Sequence, residues 1–431
     1  MLSVTTSTAL LTDRYELTML QAALTSGTAQ RRSVFELFSR RLTGGRRYGV
    51  VAGTGRLLEA LERFRFDDET LDWLRSADVV DTTTLNWLAD YRFSGSIWGY
   101  REGEPYFPQS PVLVVEATFA EGVLLETLFL SILNHDSAIA STAARMVSAA
   151  RGRPCIEMGS RRTHDSAAVA AARAAVLTGF AATSNLEAGR SFGIPTTGTS
   201  AHSFTLLHDT EREAFTAQVE SLGTGTTLLV DTYDIAEAIR TAIDVAGPGL
   251  GAVRIDSGDL VSLAHAVRGQ LDELGATSTK IIVTSDLDEH SIAALAAAPV
   301  DGYGVGTSLV TGSGVPTSGF VYKLVARADD SGTMIPVAKK SSDKVSVGGR
   351  KYALRRRTNG RAVAEVIGIG TPPADNGDDR PLLVELVRDG EVVHRPTNDE
   401  ISAHHRSAMA ELPPTASQLS PGGPVLDTVW Q

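Results

Sequence analysis

From residue 155 onward the chain alternates short β-like runs, each ending in small or polar residues, with stretches of helical patterning. There are seven runs: IEMGSRR (156–162), FAATSN (180–185), PTTGTSAH (195–202), LLVD (228–231), AVRID (252–256), IIVTSD (281–286) and YGVGT (303–307). Asp165–Leu177, Ile235–Val245, Leu260–Leu274 and Ser291–Ala297 read as helices between them. Strands joined through helical crossovers lie parallel. Seven units in about 150 residues favour an irregular α/β barrel of about seven strands over a doubly wound sheet, although an open sheet has the same local pattern.

The polar residues fall where a barrel would use them. Arg161 and Arg162, Ser184 and Asn185, His202, Asp231, Asp256, Ser285 and Asp286, and Thr307 stand at or just after the C-terminal ends of the runs. Barrel enzymes assemble their active sites on that face. Polar residues end strands in any fold, but seven cases together favour one shared site.

A chain of 431 residues has room for two or three domains. Residues 1–115 mix short helical and extended patterns with Gly-rich breaks. Two helices are expected next, Phe119–Leu133 and Ala138–Ala150, with Asp136 or Ser137 capping the second. Beyond Phe320 the pattern is strand-rich: FVYKLVARA, TMIPVAKK, KVSVGGRKYALRR, AVAEVIGIG and LLVELVRDGEVV are separated by Asp/Gly/Pro turns. The expected organisation is a discontinuous α+β domain from 1–115 and 320–412, helices leading into a catalytic barrel over 116–319, and a loosely packed Pro/Ser/Gly-rich tail over 413–431.

Composition removes several classes. With 42% hydrophobic and 21% charged residues the chain is ordinary globular material. A formal charge of −11 excludes nucleic acid as the default partner, while leaving room for one concentrated basic pocket. Cys155 is the single cysteine, so no intrachain disulfide or Cys-rich zinc site forms, in keeping with a reducing, cytoplasmic setting. The most apolar stretch, 111–133, is interrupted by Glu116, Glu121 and Glu126 and reads as no membrane span. The N-terminus lacks the basic and apolar regions of a signal peptide. The expectation is a protein that is neither exported nor membrane-bound.

Three segments carry candidate chemistry. Gly304-Val305-Gly306-Thr307 follows a β run and offers backbone N–H groups and a hydroxyl to phosphate oxygens. It is neither a Walker loop nor a dinucleotide fingerprint, and a tight turn explains it equally well. In RIDSGD (254–259), Arg254 and Asp256 share one side of a strand, where they fit an anion and a hydroxyl-bearing ligand, or a structural salt bridge with Asp259 capping the next helix. GTSAHSF (198–204) sets His202 among small residues, open to a substrate as base or nucleophile.

In order along the chain, LLTDRYELTM (10–19), FELFSRRL (35–42), GSRRTH (159–164), TSNLEAG (183–189), GTSAHSF (198–204), VDTYD (230–234), RIDSGDL (254–260) and VGTSLVT (305–311) resemble the nicotinate phosphoribosyltransferase family. KKSSDKVSVGGRK (339–351) resembles the family's C-terminal region. The resemblance implies transfer of 5-phosphoribosyl from its 1-diphosphate to nicotinate, giving nicotinate mononucleotide and diphosphate, with Mg²⁺ and with ATP as a co-substrate hydrolysed through a phosphohistidine. It implies a homodimer with shared sites, in which Tyr15 can come from the partner chain.

Residue by residue, the resemblance makes His202 the transiently phosphorylated nucleophile. Tyr15, Thr199 and Arg254 then contact nicotinate, Thr307 with the Gly304 and Gly306 backbone holds the ribose 5-phosphate, and Asp256 and Ser257 lie by the ribose hydroxyls. Ser203 and Gly258 belong to the same substrate-binding set, and Arg162 is a further anion contact. The family often has an aromatic residue before the Arg-Arg pair. This chain has Met158 there, so Met158 or a residue from another subunit is expected on the second face of nicotinate. The residue types fit the chemistry: a carboxylate substrate asks for arginine, a flat ring for an aromatic. Rival readings are a nicotinamide or quinolinate transferase, a sugar-phosphate barrel aldolase or isomerase, and a non-catalytic binding protein. An aldolase would want a Schiff-base lysine at a strand end, and no run ends in lysine.

Overall fold

The computed structural model describes residues 6–339 and 346–431; residues 340–345 of the KKSSDKVSVGGRK segment lie outside the described residues. The chain divides into two compact units, Met1–Ser141 with Val315–Gln431, and Thr142–Gly314. The 116–141 segment thus groups with the terminal segments.

The first unit is built on a seven-stranded sheet in the order Met334–Pro336, Phe320–Ala328, Arg32–Ser39, Leu113–Thr118, Ser96–Tyr100, Leu383–Arg388, Glu391–Val392. Every neighbouring pair is antiparallel. Strands from both ends of the chain therefore meet at the sheet centre, with Phe35 opposite Val115 on one side and Leu324 on the other. Phe35 and Tyr322 stack at 5.1 Å within a core that includes Leu17, Leu20, Leu57 and Phe129.

Three expectations change in this unit. The two helices become the short Phe119–Val123 and one continuous helix, Glu126–Ala150, that runs through Asn134-His135-Asp136. Those polar residues tie the helix sideways instead of breaking it. Asn134 Oδ1 accepts from the Phe320 N–H at 2.8 Å, buried Asp136 takes both its oxygens to Arg56 at 2.8 Å, and Ser137 Oγ accepts from the Ala52 N–H at 3.0 Å. Neither Asp136 nor Ser137 is a cap. Second, the expected β-rich 320–412 region ends in a helix, Asn398–Glu411, opened by a capping box between Thr397 and Glu400. Third, the tail packs: Asp427–Trp430 adds a parallel strand to Arg361–Ile369 in a four-stranded sheet. The Pro/Gly/Ser stretch before it is irregular, but Thr428, Val429 and Trp430 are strand formers.

The second unit holds a six-stranded parallel sheet, curled as a half-barrel, in the order Ala182–Thr183, Cys155–Glu157, Gly302–Val305, Lys280–Ser285, Ala252–Ile255, Thr227–Leu229. Helices Asp165–Leu177, Ile235–Ala246, Leu260–Glu273 and Glu289–Leu295 connect successive strands, close to their expected bounds. The run expected at 195–202 contributes a single bridge, Thr183 to Thr196, rather than a seventh strand. Its Thr-Thr-Gly-Thr-Ser composition offers no apolar side chain to bury against a neighbouring helix. Among the described residues no helix is long and apolar enough to cross a membrane.

Candidate active site

Alternation along Ala252–Ile255 aims one set of side chains into the core and the other at the strand-end surface. Val253 and Ile255 are fully buried, so Arg254 takes the opposite side. Its Nη1 donates to Thr199 Oγ1 at 2.6 Å and its Nη2 to the Ser200 carbonyl at 3.0 Å. Its Nε is buried without a hydrogen-bond partner. Burial lowers the guanidinium pKa, against the attraction of Asp256 and Asp231. The group stays charged and keeps one donor in hand for an anion.

His202 is the first residue of the short helix His202–Leu207. Its Nδ1 lies 3.1 Å from Thr232 Oγ1, and its Nε2 faces Asp256 at 3.9 Å and Asp231 at 4.0 Å. Asp231 is a buried anchor: its Oδ2 accepts from the Asp256 N–H at 2.8 Å and from Ser257 Oγ at 2.9 Å, while its Oδ1 is buried with no hydrogen-bond partner. Asp256 is held from the next strand by the Thr284 hydroxyl, which donates to its Oδ1. One histidine edge therefore looks onto two carboxylates that neighbouring strand ends fix in place.

Beside this cluster lies a cavity of about 210 Å³ lined by Met158, Arg161, Arg162, Asp256, Ser285, Gly304 and Thr307, among others. A Cβ on Gly304 would sit 2.4 Å from Thr284 Cγ2 and 2.8 Å from Met158 Sδ. Glycine there is a packing requirement as well as an opening for a ligand. Larger cavities occur on the first unit, two of about 620 Å³ without a histidine among the described residues of their linings and one of about 450 Å³ lined by Arg101, Glu102, His394, Arg395, Glu400 and His404, among others.

The second unit thus brings Thr199, His202, Arg254, Asp256 and Ser257 together, and Asp256 joins them to the cavity of Arg162, Gly304, Gly306 and Thr307. Ser203 follows His202 on the helix and is exposed, and Gly258 forms the turn after the strand at φ +90°. Asp259 caps the Leu260–Glu273 helix, the capping part of the structural reading of RIDSGD. Tyr15 belongs to the first unit, on the helix Arg14–Thr25; burial, with Glu126 next, pushes its hydroxyl up to about 12. Thr232 and Thr284 are new to the site, whereas Arg161 and Asp231 stand among the strand-end polar residues of the sequence without an assigned role. Asp231 had a signal, the acid ending LLVD; the Thr232 and Thr284 roles follow from spatial pairing that spacing does not carry.

The family model for the nicotinate phosphoribosyltransferase N-terminal domain matches residues 10–134, and that for the nicotinate phosphoribosyltransferase family matches residues 154–358. The chain is 57% identical over 429 residues to nicotinate phosphoribosyltransferase pncB1 of Mycobacterium tuberculosis, covering 97% of this chain and 94% of that one. It is 39% identical over 376 residues to nicotinate phosphoribosyltransferase of Bacillus subtilis, covering 84% and 76%. The crystal structure of human nicotinic acid phosphoribosyltransferase shares the fold, with a TM-score of 0.83 at 24% identity and 97% of each chain covered.

Proposed function

The chain belongs to the nicotinate phosphoribosyltransferase family and is an enzyme of that activity in NAD biosynthesis; we propose that it couples the transfer to ATP through phosphorylation of His202. The activity joins nicotinate to 5-phosphoribosyl 1-diphosphate, with the pyridine nitrogen as nucleophile and diphosphate as leaving group. No strong base is needed. What is needed is an anchor for the nicotinate carboxylate, a grip on the phosphates and stabilisation of charge as diphosphate leaves.

The observation that carries the ATP reading is the setting of His202. In the proposed tautomer Nδ1–H donates to Thr232, which places the lone pair on Nε2, the nitrogen that faces Asp231 and Asp256. In the proposed step the Nε2–P bond forms as the bond from the γ-phosphorus to ADP breaks; water later takes the phosphoryl group as phosphate. Arg254 holds the nicotinate carboxylate with Thr199 beside it, Tyr15 covers one ring face, and Met158 lies toward the other. Ser203 and Gly258 complete the nicotinate and ribose surroundings, Asp256 and Ser257 serve the ribose hydroxyls, and Arg162, Gly304, Gly306 and Thr307 the 5-phosphate.

The buried, unpartnered Asp231 Oδ1 and the half-exposed Asp256 are hard oxygen donors of the kind that Mg²⁺ takes beside phosphate oxygens, so these two would hold it. Bound there it supplies charge neutralisation at the diphosphate. Among the described residues no group of three or more His, Cys, Asp or Glu is placed to hold a metal ion by itself. The same reading includes a homodimer with shared sites in the cytoplasm, and an irregular barrel in which the segment bridged at Thr196 stands in for a seventh strand. The matches to nicotinate enzymes favour this over the quinolinate and aldolase alternatives.

Purified protein given labelled nicotinate, 5-phosphoribosyl 1-diphosphate and Mg²⁺ is expected to form nicotinate mononucleotide, faster with ATP. γ-Labelled ATP is expected to leave an acid-labile label that His202→Ala abolishes. A label that persists in that variant moves the nucleophile to another residue.

A further inference from the structure

Leu125 precedes the helix Glu126–Ala150 and has no side-chain acceptor to offer its first turn, yet that turn is not left open. Glu16, on the helix Arg14–Thr25, is fully buried and sends its carboxylate there across 111 positions of sequence. Oε1 accepts the Thr127 N–H at 2.9 Å and the Thr127 hydroxyl at 2.5 Å; Oε2 accepts from the Thr12 hydroxyl, just ahead of the first helix. A negative group that satisfies an orphan N–H at a helix start is doing what a capping side chain does, here from a separate element. The two bonds from Thr127 fix the first helix against the start of the long one, and the bond from Thr12 ties in the segment that leads into the first helix.

Tyr15 precedes Glu16 in that helix and is 44% exposed, with Glu126 and Thr127 as its polar neighbours. Adjacent helical residues differ by about 100° around the axis. The rotation that seats Glu16 on Thr127 therefore sets where the Tyr15 ring points.

Resting on the reading of Tyr15 as a nicotinate contact, we propose that Glu16 is a positioning residue: it locks the first helix onto the start of the Glu126–Ala150 helix and so holds the Tyr15 ring in register for the substrate ring. It acts through Tyr15 and not on the phosphoribosyl donor. Removing the clamp should therefore weaken nicotinate selectively.

The test is steady-state kinetics of the full-length enzyme with both substrates varied, for Glu16→Ala, Glu16→Gln, Tyr15→Ala and the double variant Tyr15→Ala/Glu16→Ala. Glu16→Ala is expected to raise the nicotinate KM roughly tenfold and to move the phosphoribosyl diphosphate KM less than about twofold, since a small misplacement of a contact group is costly. Glu16→Gln keeps an acceptor for Thr127 and is expected to stay within about twofold of wild type, which also covers an alanine variant that does not fold. In the Tyr15→Ala background the Glu16→Ala change is expected to add nothing. The proposal is overturned if Glu16→Ala raises both KM values equally, if its effect is undiminished without Tyr15, or if it leaves the nicotinate KM alone while Tyr15→Ala raises it. If Tyr15→Ala itself leaves that KM unchanged, the Tyr15 reading fails first.

Discussion

Arg254 is the residue on which substrate binding is expected to turn. Two of its nitrogens are spent on Thr199 and Ser200, and the third, Nε, is buried without a partner. Replacing it by alanine removes a charge-assisted contact worth about 1.5–3 kcal/mol, so the nicotinate KM should rise at least about tenfold; an unchanged KM would make Arg254 a purely structural residue. Gly304 gives a steric counterpart. Gly304→Ala drives a methyl to 2.4 Å from Thr284 Cγ2, and overpacking of this kind costs about 1–3 kcal/mol. Because Thr284 also holds Asp256, activity should fall with stability. Thr284→Ser removes the offending methyl and keeps the hydroxyl, so the double variant should recover part of both in melting and turnover assays. Glu16 adds a pH signature. Burial is the largest influence on it, opposed by the bonds from Thr127 and reinforced by Glu126 and Asp13, and its pKa rises from 4.5 to about 7. The folded state then binds more protons than the unfolded one between those values, so this residue's contribution to stability falls as pH rises from about 4.5 to 7 and is flat above. Wild type should lose thermal stability relative to Glu16→Gln over that window; a constant difference would refute the assignment.

At the scale of elements, the helices of the second unit were readable because period and composition agree there. Asp165–Leu177 has the bounds its Ala-rich stretch predicts, with Ala168, Ala171 and Ala175 buried where the helix packs closely. The strand ends were readable for the same reason. What could not be read is any element whose polar residues find distant partners. Asn134-His135-Asp136 reads as a helix break until Phe320 and Arg56 are in place, hundreds or tens of residues away in sequence. The Asn398–Glu411 helix did have a local signal, Thr397 three residues before Glu400, hidden by the strand-rich texture before it. That box is reciprocal: Thr397 Oγ1 accepts the Glu400 N–H at 3.2 Å and Glu400 Oε2 accepts the Thr397 N–H at 2.7 Å. Thr397→Ala should therefore cost about 1 kcal/mol in urea unfolding at pH 7. No change would mean that tertiary packing alone holds that helix.

At the scale of the molecule, a chain with a formal charge of −11 puts its arginines to two different uses. Arg161, Arg162 and Arg254 serve the strand-end site, whose proposed ligands are anions. In the first unit Arg355 and Arg380 are instead neutralised internally. Arg355 is fully buried, 3.2 Å from Glu104 and 3.3 Å from Glu365, and Arg380 reaches Glu104 and Glu411 at 2.8 and 2.7 Å. Strands and helices from residues 100 to 411 converge on this one network, so it reports on assembly of the discontinuous unit as a whole. The two acids beside Arg355 are not alike. Burial pushes Glu104 up, but His404, Arg380 and Arg355 outweigh it and hold the carboxyl well below its usual range. Glu365 has Arg355 beside the neutral donors Tyr100, at 2.8 Å, and Ser110, and burial outweighs them and leaves it raised. Glu104 keeps Arg380 and His404 when the arginine is removed, while Glu365 is left with neutral donors, so the stranded charge falls chiefly on Glu365. Arg355→Met should lower stability by about 3–5 kcal/mol, the cost of breaking a buried pair from one side. Adding Glu365→Gln removes that charge and keeps an acceptor for Tyr100 and Ser110, and the double variant should regain much of that loss, a coupling that urea unfolding of the four proteins in the cycle measures directly. Strict additivity of the two losses would mean that the network contributes shape alone, and that the unit's assembly rests on the apolar core around Phe35 and Tyr322.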